Sequence, residues 1–190
     1  MNKRVSLLFA IILSGLPTLA LAHAGHGDHG FFDGFSHPFL GLDHLLAMLV
    51  VGIWSVLQAR NIWVAPLCFV SFLAIGAMLG AHGLSLPQLE PLVAASVLVL
   101  GLMLTLRFNP GHLLALAVIG AFALCHGMAH GSELSAGNVV LSGIVFGSAL
   151  LHLTGMAFAH FFLKARPHLV RSIGQLVALV GGGLLLSFVM

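Results

Sequence analysis

The chain has no tyrosine, and only 6% of its 190 residues are charged. Soluble domains carry about 25% charged residues. Here 59% of the chain is hydrophobic. No water-facing fold of this size hides so many apolar side chains, whereas lipid does. The composition excludes a soluble protein and predicts an all-α, polytopic membrane protein. Cysteine is also scarce. Cys68 and Cys125 lie in apolar runs without a CxxC pair or a disulfide framework, and both read as small hydrophobic residues, with His126 beside Cys125. No GxxxxGK[ST] loop occurs, so the chain has no visible ATPase, and no H-E-x-x-H marks a metalloprotease. The chain does not read as an enzyme.

Residues 1–22 have the form of a cleavable signal peptide. Lys3 and Arg4 supply the positive start, residues 5–16 the apolar run, and Ala20-Leu21-Ala22 the small-x-small cleavage site. An uncleaved first helix would leave the same topology. Taking Lys3 and Arg4 from the seven basic residues leaves five basic against five acidic. No cationic excess remains to favour a nucleic-acid partner.

Apolar stretches of membrane-spanning length follow. They predict one domain over residues 23–190, with a His-rich segment at 23–36 and six helices near 38–58, 62–82, 88–106, 111–131, 138–163 and 172–190. With the mature N-terminus outside, Arg60, Arg107, Lys164, Arg166 and Arg171 all fall on the cytoplasmic side, and Asp28, Asp33, Glu90 and Glu133 fall outside. That segregation obeys the positive-inside rule and puts both termini in the periplasm of an inner-membrane protein. Gly76 and Gly80, and the run at 181–183, read as sites of close helix packing. Gly80-Ala81-His82-Gly83 and Met128-Ala129-His130-Gly131 hint at an internal repeat.

Twelve histidines stand in this apolar chain. Ionisable residues inside a membrane are costly and default to function. His37, Asp43 and His44 form one cluster at the outer start of the first mature helix. Pro38 suits a first helical turn, and continuous helix would put His37 and His44 on one face. His126, His130 and Glu133 form a second cluster on one face at the outer end of the fourth helix, with His82 closing the second helix at the same level. His152 lies near mid-membrane, with Met156 one turn further in. Imidazole with carboxylate suits divalent first-row metals, and the two clusters predict cation handling rather than interhelical hydrogen bonding alone. His23, His26 and His29 read either as an upstream capture segment or as a solvated tail. His112 and His168 read as interfacial residues, and His160 as either.

At these residues the chain resembles the HupE/UreJ family of bacterial nickel transporters. Residues 37–44 carry H-P-x-x-G-x-D-H and residues 126–133 carry H-G-x-A-H-G-x-E, with the signal peptide, His-rich start and length also alike. The resemblance implies secondary uptake of Ni²⁺ from the periplasm for hydrogenase or urease maturation. It gives His37, Asp43, His44, His126, His130 and Glu133 to the two motifs. Cobalt or another divalent metal fits the same donors. The expected partners are the metal ion as substrate, the lipid bilayer, nickel chaperones of enzyme assembly, and a homo-oligomer. No tightly bound cofactor is expected. A metal-binding sensor or accessory subunit without transport is an alternative. A haem-bearing electron carrier, using His112 and His126 on one helix, is a weaker one.

Overall fold

The computed structural model describes residues 30–58, 60–84, 86–107, 111–131 and 138–188. The predicted signal peptide, His23, His26, His29 and Glu133 lie outside the described residues. Within them the chain forms seven α-helices, one π-helical turn and no strand. These are α1 (Phe31–Leu40), α2 (Leu42–Gln58), α3 (Val64–Ala81), α4 (Leu89–Thr105), α5 (His112–Gly131), α6 (Asn138–Phe158), the π-helical turn Ala159–Leu163, and α7 (Pro167–Leu186).

The middle helices lie close to their predicted positions, but both ends of the bundle depart from expectation. The first predicted span is two helices meeting at 83°. Pro38 does not open a helix. It sits buried in the last part of α1, where its missing N–H cannot bond the carbonyl one turn back. The chain then breaks at Gly41, which is extended (φ −87°, ψ 120°), and α2 restarts at once. His37 and His44 are therefore on different helices and do not share a helix face. The last helix begins at Pro167 rather than near 172, with proline in its first turn, so His168 and Arg171 are helical.

Among the described residues four helices are long and apolar enough to cross a membrane: α3, α5, α6 with its π-helical turn, and α7. The bent α1–α2 pair makes a fifth if it is counted as one span, and α4 is apolar but has only 17 residues. The outer surface suits lipid, with Leu113 83% and Phe161 76% exposed. Several hydroxyl side chains bond their own helices. Ser55, Ser96, Thr105, Ser142 and Thr154 each donate to a carbonyl one turn back. In hydrocarbon such groups have no water to turn to.

Lipid gives apolar helices no hydrophobic reason to associate, so close packing holds them. Four helix pairs use glycine for it, one of them α1 against α6 through Gly34, Gly143 and Gly147. On α3 and α5, Gly76 faces the Leu124 carbonyl, Gly80 faces Gly131, and Gly127 faces the Leu73 carbonyl, so these helices run parallel. On α4 and α7, Gly101 meets Ala178 and Gly174, and Gly181 meets Leu98, which makes that pair antiparallel. On α2 and α6, Gly52 lets in the backbone at His152 and Gly155 lets in that at Leu49. Met48, Trp54, Phe69, Leu73, Leu100 and Ile119 fill the centre.

A side chain at Gly127 would strike backbone, which cannot swing away. Gly127→Val is expected to lower the thermal stability of the detergent-solubilised protein by about 1–3 kcal/mol, the usual penalty of overpacking. Gly182 and Gly183 have nothing within 4 Å of an added Cβ, so alanine there should leave the melting curve unchanged.

Candidate functional site

The break at Gly41 turns α1 across the end of the bundle, bringing His37 in its last turn over His44 in the first turn of α2. α5, which runs parallel to α3, ends at the same level and supplies His126 and His130. Four imidazoles from three helices thus gather at one end. Ring centroids lie 4.3 Å apart for His37 and His130, 4.5 Å for His44 and His130, and 4.5 Å for His44 and His126. His44, His126 and His130 are buried, while His37 and Asp43 are half-buried and form the outer margin.

Asp43 fixes the central ring. Its Oδ1 accepts the His44 backbone N–H at 2.8 Å and lies 2.8 Å from His44 Nδ1. An ionised carboxylate only accepts, so Nδ1 carries a proton, and in the neutral ring the lone pair lies on Nε2. That nitrogen points at His130 Nε2, 2.6 Å away. Glycine at 41 leaves room for the pair, because a Cβ there would stand 2.8 Å from Asp43 Oδ1 and 3.2 Å from His44 Nδ1.

Ser96 on α4 fixes a second ring. Its hydroxyl donates to the Val93 carbonyl at 2.6 Å, which uses its only proton. Its oxygen then accepts from His126 Nε2 at 2.9 Å. His126 Nδ1 therefore bears the lone pair, and it is buried without a hydrogen-bond partner. Deeper in the bundle, His152 Nδ1 donates to the Ser148 carbonyl at 2.7 Å, leaving the buried Nε2 without a partner. The Phe69 ring touches both histidines, with centroids 5.7 Å from His126 and 5.0 Å from His152.

The remaining candidates are spread out. His82 caps α3 with an exposed side chain and makes no ring contact with the four, although His130 ends the parallel helix. His152 stands below the cluster. His112 and His168 lie at the opposite end, as does His160, whose Nδ1 accepts from Lys164 Nζ at 3.2 Å. Among the described residues no three His, Cys, Asp or Glu side chains are arranged to hold a metal ion as they stand. Two imidazole nitrogens bound to one first-row ion at about 2.0–2.1 Å must be about 3 Å apart. The His44 and His130 nitrogens at 2.6 Å reach that separation through a small opening of the rings.

The family model described as HupE / UreJ protein matches residues 11–184. The chain belongs to the HupE/UreJ family. Protein HupE of Rhizobium leguminosarum bv. viciae is similar to it, at 39% identity over 177 residues, covering 90% of this chain and 93% of that relative. No solved structure matches. In this HupE/UreJ chain both motifs read from the sequence contribute rings to one cluster, the first from α1 and α2 and the second from α5.

Sequence reasoning missed Ser96 and Phe69. Ser96 is one of few hydroxyls in the apolar α4, and that polarity was a usable signal. Phe69 looks like any other apolar residue, and only the packing of three helices gives it two histidine neighbours. In ¹⁵N-histidine-labelled protein at neutral pH, His126 should appear as the Nε2–H tautomer and His152 as Nδ1–H. Ser96→Ala should turn His126 into a mixture and leave His152 unchanged. A mixed His126 signal in the unmodified protein would contradict the assignment.

Proposed function

We propose that the chain is a secondary transporter that takes up Ni²⁺ from the periplasm into the cytoplasm. The observation that carries this reading is the Asp43–His44 pair facing His130 from a separate helix. A carboxylate that holds Nδ1–H of an imidazole while Nε2 faces a metal is a recurrent second-shell arrangement, which orients the ring and raises its basicity. Membership of HupE/UreJ, a family of accessory and transport proteins rather than enzymes, supports the same reading. The destinations in this account are hydrogenase or urease maturation, with nickel chaperones receiving the ion.

Six spans fit this reading: the bent α1–α2 pair, the four long helices, and α4 as a short sixth. The helix directions support alternation, since α3 runs parallel to α5 and α4 antiparallel to α7. The imidazole end is periplasmic and the end bearing Arg107 and Lys164 cytoplasmic, in an inner membrane with both termini outside. Ni²⁺ sheds part of its hydration shell among the imidazoles, with Asp43 supplying negative charge. An inside-negative potential favours inward movement of a dication by about 4.6 kcal/mol per 100 mV, twice the single-charge value. Binding must stay weak enough for release. Co²⁺ is the nearest competitor, because the same donors accept it. His82 and Glu133 serve as outer ligands in this account, and His23, His26 and His29 as the capture segment.

The test is ⁶³Ni uptake into proteoliposomes. Asp43→Asn and His130→Ala should each cut uptake about 10- to 100-fold, as lost ligands and second-shell partners do. Unchanged uptake in both variants would refute the site. Binding without any uptake in the unmodified protein would leave an accessory metal-binding protein instead.

Acid should inhibit. A protonated imidazole cannot ligate, so uptake should fall as the medium is acidified. Uptake that does not fall at any acidity the folded protein survives would contradict histidine ligation.

A further inference from the structure

Two buried imidazoles with free lone pairs contact one apolar ring. His126 Nδ1 belongs to the outer cluster, and His152 Nε2 lies deeper in the bundle; neither has a hydrogen-bond partner. Their tautomers follow from what they bond. Ser96 takes Nε2–H of His126, and the Ser148 carbonyl takes Nδ1–H of His152. Each ring is thus anchored by one nitrogen and offers the other.

Ser148 sits one turn before His152 on α6. Its hydroxyl is fully buried and has no partner, unlike those of Ser55, Ser96, Thr105, Ser142 and Thr154, which bond their own helices. A buried hydroxyl or imidazole without a partner is costly, more so where lipid surrounds the bundle. Gly52 of α2 packs against the His152 backbone, so no large side chain fills this crossing from that helix.

Depth separates His126 from the other two. At about 1.5 Å per residue, His126 lies about 7.5 Å inside the outer end of α5, Phe69 about 18 Å inside that of α3, and His152 about 21 Å inside that of α6. Phe69 is fully buried and its ring contacts both histidines.

We infer that Ser148 and His152 form a second, inner station for the transported divalent cation, and that Phe69 is the apolar partition between it and the outer cluster. This rests on the transport reading above. The ion leaves His126 Nδ1, passes the Phe69 ring as the ring turns aside, and is received by His152 Nε2 with the Ser148 hydroxyl oxygen as a second donor. An apolar constriction between two polar stations excludes hydrated ions, because only an ion that trades its water for imidazole on both sides gains from crossing.

The experiment uses the full chain in proteoliposomes with entrapped Ni²⁺- and Mg²⁺-sensitive dyes, alongside equilibrium dialysis of ⁶³Ni against the detergent-solubilised protein, in which outer binding is the part lost in His130→Ala. Phe69→Leu should raise the initial uptake rate about threefold and admit Mg²⁺, and Phe69→Trp should slow uptake about tenfold, both with outer binding within about twofold of the unmodified protein. His152→Ala should slow uptake about tenfold while outer binding stays, and Ser148→Ala should give a smaller loss in the same direction. If Phe69→Trp does not insert, Phe69→Leu alone decides the partition. Unmodified rate and selectivity in the Phe69 variants would overturn the partition, and unmodified uptake in His152→Ala would overturn the inner station, both leaving transport intact. Absence of Ni²⁺ uptake by the unmodified protein would overturn the transport reading and the inference together.

Discussion

The bond between Asp43 and His44 is the contact on which the site depends. A carboxylate half-buried at the end of an apolar bundle needs a partner, and the adjacent imidazole gives it one through Nδ1. That choice leaves His44 Nε2 facing His130, and His130 in turn lies against His37. Without the carboxylate, His44 could turn either nitrogen toward the cluster, and the four rings would lose their fixed centre. Ser96 plays the same part for His126 by a different route, since a serine that has already given its proton to Val93 can only accept.

The helices can bring these groups together because glycine lets them approach. The α3–α5 contact runs through Gly76, Gly80, Gly127 and Gly131, and it sets the depth of His126 and His130 relative to Phe69. On the other side, Gly34, Gly143 and Gly147 seat α1 on α6, which fixes His37 above the cluster. The right-angled break at Gly41 gives the motif its geometry, and the absence of a Cβ there leaves space for the Asp43–His44 pair. Packing and chemistry therefore share the same small residues.

Much of the bundle was legible in the sequence because apolar length and turn residues are local signals. The helices over 64–81, 89–105 and 112–131 needed nothing more. The bend was not legible, since Pro38 is compatible with either end of a helix and only its packing against α6 shows which one it occupies. The sequence reading put His37 and His44 on one continuous helix face and His126 and His130 on another at the outer side; the first face does not exist, and the bend brings the four rings together instead. The short likeness between residues 80–83 and 128–131 does reflect two parallel helix ends, yet His82 is exposed where His130 is buried. Ser96, Ser148 and Phe69 escaped notice because their importance comes from neighbours on other helices, which no local pattern encodes.

The central claim is that imidazoles from different helices bind one metal ion together. X-ray absorption at the nickel edge of the Ni²⁺-loaded protein tests it most directly. The account predicts nitrogen and oxygen donors at about 2.0–2.1 Å with the outer-shell scattering of two or more imidazole rings, lost in the His44→Ala and His130→Ala variants. A shell of oxygen donors without imidazole scattering, or one dominated by sulfur, would contradict it.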